Sequence, residues 1–395
     1  MNRILNTLRL EPFRILFPFG YFCMVFGLGI WSVNLLGNST ESARLHAILL
    51  GDGFLFAFSL GLLLTEIPRL LLTPSMGLAQ LFILLATLAG MALAVLGGNV
   101  FYAQALYGLA LFNLGVFLVR SLMASKTKGH PGPALALTAV ILSLIGTVHF
   151  LLAESFVIFR EFGSWGSYIG LQAYFLLFSV ACLRWKREYR LGGQGGDGAW
   201  FWMSLALLIT SLGLEAFAGF AFRSEAILRV AYVLRSLWIA GAITRPGRIY
   251  PLLEGAPWHG VLVRAGLSFM LAGAVLVVFN PAHAIVLNHV TFLAGYAWIA
   301  LSAATGLIAE RVKTGTRRTG IAVLIVGGLS LGVGTLLRIA AGFGDHGHGL
   351  MLAIGAVFAL IPLFLWAIVF FPMLADTDNA RDSDPAPSAP SALSR

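Results

Sequence analysis

Three histidines, His46, His149 and His289, lie far apart in the chain, each within an apolar stretch. Neutral imidazole is the commonest protein ligand for haem iron and for copper. A bis-histidine haem takes one imidazole on each face of the macrocycle, while copper or zinc gathers two to four donors in one small sphere. At 1.5 Å of rise per residue, His149 stands roughly 22 Å up a helix entered near Ala134. His46 and His289 stand just inside the outer ends of their own spans, so all three share the outer third of a bilayer. A polar side chain there is costly unless paired or bound. Shared depth therefore predicts a haem or metal site, with Glu154, Glu215 and Arg338 in the same layer. Glu154 is placed to accept an imidazole proton as an outer-shell partner. For His46 and His289 a plainer reading stands beside this one, an interfacial residue bonded to a loop carbonyl.

Positioning such side chains falls to long apolar helices. The 395-residue chain is 58% hydrophobic and 11% charged, with a mean hydropathy of +0.88. Soluble domains carry about a quarter charged residues, so lipid is the expected solvent for most of this surface. The runs are long and unbroken, which excludes a barrel of short alternating strands. The fold class expected is an all-α polytopic transmembrane bundle of about twelve spans. They run near 15–36, 43–67, 75–97, 100–124, 134–159, 165–184, 199–222, 226–245, 258–279, 284–310, 319–342 and 347–375. Residues 1–375 form one integral-membrane domain, and 376–395, rich in Asp, Ser, Pro and Ala, a disordered cytoplasmic tail. The run from Ile15 is too long for a signal core and reads as a retained anchor.

The net charge of +9 does not call for nucleic acid, because the basic residues sit between spans. The inner side holds Arg3, Arg9, Arg14, Arg69, Lys126, Lys128, Arg184, Lys186, Arg187, Arg190, Arg245, Arg248, Arg311, Lys313, Arg317 and Arg318. The outer side holds Arg44, Arg160, Arg223 and Arg229. This asymmetry puts both termini in the cytoplasm. Cys23 and Cys182 lie in apolar spans with no partner at ligand spacing, so no disulfide framework is implied. Glycines within spans read as close-packing positions.

Charges inside spans carry a second reading. Asp52, Arg120, Arg235, Arg264 and Arg338 are each costly near the membrane centre. Asp52 and Glu66, fourteen residues apart, fall nearly on one helix face. With Arg235 they would serve a proton-coupled secondary transporter or channel without a redox cofactor, or form a structural ion pair. Transporters of that kind usually show inverted repeats and broken helices, and no repeat is evident. A non-catalytic assembly factor is a third reading. His346 and His348, in Gly-Asp-His-Gly-His-Gly, suit a flexible outer loop, with His283 beside that face. His130 and His259 read as solvated inner residues, and the glycine-rich 192–198 segment as a linker, since no Lys-Ser/Thr pair follows it.

At its first two spans the chain resembles the NnrS family of bacterial inner-membrane proteins. Pro12-Phe13-Arg14 precedes the first span and Trp31 closes it. Leu45-His46-Ala47 and Gly53-Phe54 follow at the family's spacing, and Gly61-Leu62-Leu63-Leu64-Thr65 is similar to its Gly-Phe-Leu-Leu-Thr segment. Asn288-His289 with Gly295 looks like the family's later histidine span. The resemblance implies a haem b and copper protein of the cytoplasmic membrane, linked to nitric oxide metabolism and nitrosative stress. It makes His46 and His289 the ligand candidates. Where the family has a further histidine and a glutamate, this chain reads Ile48-Leu49, and the segment Glu310 to Gly320 lacks the family's histidine-glycine pattern. Those departures are consistent with loss of one metal or of all. The combined reading takes His46, His149 and His289 as ligands, with Glu154 and Arg338 as neighbours that meet haem propionates.

Overall fold

The computed structural model describes residues 2–33, 40–125, 131–155, 170–175, 198–218, 224–244, 257–311, 317–343 and 348–375. Most of the sixth expected span, the tail 376–395, His130, His346 and nearly all of the glycine-rich linker lie outside them. Among the described residues the chain is all-helical, and nine helices are long and apolar enough to cross a membrane. The protein is therefore a multi-pass membrane protein with lipid as its surroundings.

A short helix α1 (Asn2–Leu10) leads into α2 (Phe13–Val33). The second segment is composite: α3 (Thr40–Ile48), a π-helical stretch Leu49–Leu55, and α4 (Phe56–Leu71). Next come α5 (Leu78–Leu96), α6 (Val100–Met123) and α7 (Pro131–Ser155), then α8, described over 170–175. Two 20-residue helices follow, α9 (Gly198–Phe217) and α10 (Glu225–Thr244), and after them α11 (Pro257–Phe279). The tenth segment is composite again. A 3₁₀ turn (Pro281–His283) leads to α12 (Ala284–His289), a second π stretch (Val290–Ala297) and α13 (Trp298–Arg311). Helices α14 (Arg317–Phe343) and α15 (His348–Ala375) complete the bundle.

Local chemistry explains the boundaries. The break expected at 97–99 is real: Gly98 takes a left-handed φ of 73°, and the Asn99 side chain accepts from the Tyr102 amide at 3.1 Å, capping α6. Pro131, Pro257 and Pro281 stand at the first position of their elements, where the missing N–H costs nothing. Pro68 was expected just past a span end. It instead sits in the last turn of α4, which runs to Leu71 and closes on Leu72 with φ 52°.

Burial separates centre from rim. The Arg44–Leu71 segment is 89% buried and Pro281–Ala309 83%, whereas α5 and the Thr319–Phe343 part of α14 are 33% buried. The two composite segments are thus the axis of the bundle, and most others turn one face to lipid. Helix α2 packs on the second segment and on α15, α11 on the tenth, and α14 on α15. Without water, helices associate through close packing and hydrogen bonds. Buried Arg14 supplies one such lock. Its guanidinium bonds Glu11 at 2.6 Å and donates to the carbonyls of Leu374 at 2.9 Å and Met373 at 3.3 Å. It thereby satisfies orphan carbonyls at the end of α15.

Candidate functional site

Both composite segments follow one plan: a histidine, then a π stretch, against a glycine-bearing neighbour. His46 lies in the last turn of α3, three residues before the first π stretch; His289 immediately precedes the second. A Cβ added at Gly53 would fall 2.8 Å from Cys23 Cβ, and one at Gly27 would fall 3.0 Å from the Leu50 side chain. The missing side chains bring α2 close enough for His46 Nδ1 to reach the Gly27 carbonyl at 2.8 Å. On the other side, a Cβ at Gly273 would fall 2.4 Å from Thr291 Oγ1, and one at Gly295 2.5 Å from Met270 Cγ. Single π turns within α-helices recur at functional sites.

His46 and His289, 243 residues apart (289 less 46), meet in one electrostatic neighbourhood with Arg338 of α14. His289 Nδ1 lies 3.0 Å from the Ile285 carbonyl, and Arg338 Nε donates to His289 Nε2 at 3.3 Å. A carbonyl only accepts and a guanidinium only donates, which fixes the tautomer: Nδ1 carries the hydrogen and Nε2 the lone pair. At His46 the carbonyl likewise requires a hydrogen on Nδ1, which donates to Gly27. Both imidazoles are thus anchored at Nδ1 by backbone, which leaves Nε2 as the ligating-type nitrogen. Metal-bound histidines are oriented in this way.

The other expected site residues are placed differently. His149 is half-buried on α7. Glu154, on the same helix, forms an ion pair with Arg44 at 3.6 Å rather than meeting an imidazole; the arginine is 58% exposed. An exposed pair of this kind contributes little. Among the described residues, no group of three or more His, Cys, Asp or Glu side chains could hold a metal ion.

No family model and no curated relative matches the chain.

A second constellation, which depth alone did not reveal, joins α8, α9, α10 and α12. Arg235 of α10, 2% exposed, donates to Glu215 of α9 at 2.5 Å and to Gln172 of α8 at 2.5 Å. Tyr232 donates to the other Glu215 oxygen at 2.7 Å and accepts from Asn288 Nδ2 at 2.6 Å. The Arg235 guanidinium also lies over the Tyr232 ring, 4.5 Å from its centroid. A buried charge pair holds only when its remaining donors and acceptors are satisfied, and this network supplies those partners. It ends on Asn288, the residue before His289. The buried polar residues Gln172, Tyr232 and Asn288 were the available signal in the sequence.

Asp52 is not Arg235's partner. It lies on the first π stretch, 3% exposed, and accepts from Gln104 Nε2 of α6 at 2.5 Å. Glu66 is half-buried on α4. The π stretch between the two acids winds more widely than an α-helix, so the shared face expected from α-helical spacing does not carry through.

The donor chemistry can be weighed against the expected cofactors. Two backbone-anchored imidazoles are the donors that would hold a haem iron, which needs few further ligands from the protein. Arg338 beside them suits a carboxylate, which its planar fork bonds bidentately. A copper ion would draw further donors from outside the described residues.

Proposed function

We propose that this chain is a haem-binding protein of the bacterial cytoplasmic membrane, of NnrS type, in which His46 and His289 would hold the iron. Arg338 would turn from His289 to a haem propionate, and His149 and Glu154 would stand at the edge of the site. In this reading the chain crosses the membrane twelve times with both termini in the cytoplasm. Copper, if held, would share the histidines. Supporting it above all is the proximity of two distant imidazoles, each anchored at Nδ1 by a backbone carbonyl.

Held by His46 and His289, a haem would supply electron transfer. The resemblance to the NnrS family carries the further proposal of a role in nitric oxide metabolism or resistance to nitrosative stress. The test is the absorption spectrum of detergent-purified protein, oxidised and reduced. Wild type is expected to show a Soret band, lost or strongly reduced in His46→Ala and in His289→Ala. A purified wild type with neither a Soret band nor metal by elemental analysis overturns the proposal.

A further inference from the structure

Among the described residues three carboxyl groups are buried, Glu11, Asp52 and Glu215; Glu11 pairs with Arg14, and the other two are treated differently. Glu215 has a guanidinium on one oxygen and a tyrosine hydroxyl on the other. Asp52, equally sequestered, bonds or pairs with no cation among the described residues; its partner is the neutral carboxamide of Gln104. An isolated ionised carboxylate in an apolar interior costs many kcal/mol, and such a group neutralises instead. Geometry shows how. Gln104 donates Nε2–H to Asp52 Oδ2, while its own Oε1 is buried and has no hydrogen-bond partner among the described residues. An amide and a carboxylic acid form a closed two-bond ring when the acid's O–H returns to the amide oxygen. The orphaned oxygen of Gln104, 1% exposed, is the acceptor that this ring requires.

We infer that Asp52 is a proton-binding site within the membrane, held at neutral pH as the uncharged acid, with its O–H donated to Gln104 Oε1. The titratable groups around it fit a neutral occupant. Tyr107 of α6 lies within electrostatic reach and is tied to Ser143 at 3.1 Å. Tyr174 of α8 is tied to Ser59 at 2.8 Å. On the α2 side Cys23 packs at Gly53. On its own segment, His46 and Glu66 stand six and fourteen residues away. The π stretch supplies the position: a wide turn flanked by Gly51 and Gly53 lets the Asp52 side chain face α6 at close range. The site is independent of haem, because neither Asp52 nor Gln104 belongs to the histidine pair.

The test is infrared spectroscopy of the full-length protein in detergent at neutral pH. The wild-type minus Asp52→Asn difference should contain the carbonyl stretch of a non-ionised carboxylic acid. That stretch should move down on H/D exchange and again on isotopic labelling of aspartate carboxyl carbons. Gln104→Met, which removes the acceptor, should raise its frequency without abolishing it. Asp52→Asn retains both ring bonds, since Nδ2–H points where the acid proton pointed, so its melting temperature should match wild type. The labelling experiment needs no substitution, so a misfolded variant does not decide the outcome. Carboxylate stretches in place of the acid band overturn the proposal. An acid band that vanishes on addition of sodium also overturns it, because the occupant would then be a cation exchanging with the proton.

Discussion

Replacing Arg235 by methionine removes the guanidinium that faces Glu215 and leaves that carboxylate 1% exposed beside a tyrosine hydroxyl and a distant amide. Neutral interhelical hydrogen bonds in membrane bundles average only about 0.6 kcal/mol. Loss of a bond to Gln172 alone would therefore be barely visible. An uncompensated buried charge costs about 3–5 kcal/mol, and that effect dominates here. Arg235→Met is expected to lose about that much, and Glu215→Gln somewhat less, because the guanidinium keeps Gln172 and the Tyr232 ring. The double variant removes both charges and should cost no more than Arg235→Met alone, giving a coupling of about 2–3 kcal/mol. Reversible unfolding in mixed micelles, followed by far-ultraviolet circular dichroism, measures all four forms. Strictly additive losses, or a single-variant cost under about 1 kcal/mol, would show that the pair is not a charge-compensating unit.

Three further outcomes are expected. Gly334→Ala should destabilise by about 1–3 kcal/mol, because its Cβ would fall 2.8 Å from the Gly355 carbonyl, a backbone atom that cannot step aside; the same unfolding assay reads it. Arg14→Gln should loosen the end of α15 by releasing the Met373 and Leu374 carbonyls, seen as faster amide exchange after Phe370 with little change in the middle of the helix. Leu72→Gly should raise stability by about 1 kcal/mol, since a left-handed leucine carries a Cβ penalty that glycine lacks and the residue is 54% exposed. A drop in its melting temperature would contradict that assignment of strain.

Helix identity and approximate extent were legible because apolar run length is a local property. The break at Gly97, Gly98 and Asn99 and the prolines opening α7 and α11 were legible for the same reason. Shared depth was expected of His46, His149 and His289 together, with Glu154 and Arg338; of these, His46, His289 and Arg338 are neighbours, while Glu154 pairs with Arg44. That neighbourhood was not legible, because depth says nothing about which helices touch. Asp52 and Glu215 both offered a carboxylate to Arg235, and only the packing of α9 on α10 decides for Glu215. The π stretches were not foreseen: two glycines and an aspartate weaken Leu-Leu-Gly-Asp-Gly-Phe-Leu as an α-helix, but that weakness does not specify a π turn. Helices α2 and α11 approach them closely at Gly27 and Gly273.

Those two π stretches also restrict how the chain can vary in length. Each sits between a histidine and the rest of its own segment. A π turn carries one residue more than the α-helical winding it replaces, so removing one residue from 49–55 or 290–297 would let the stretch close as α-helix with little change of register beyond it. Adding one would instead turn everything beyond by about 100° and advance it about 1.5 Å. Phe58, packed on Phe17 and Trp366, would then swing out of the aromatic centre while His46 stayed in place. Single-residue insertions should thus be far less tolerated within these stretches than in the rim helices, where a register shift exchanges one lipid-facing side chain for another.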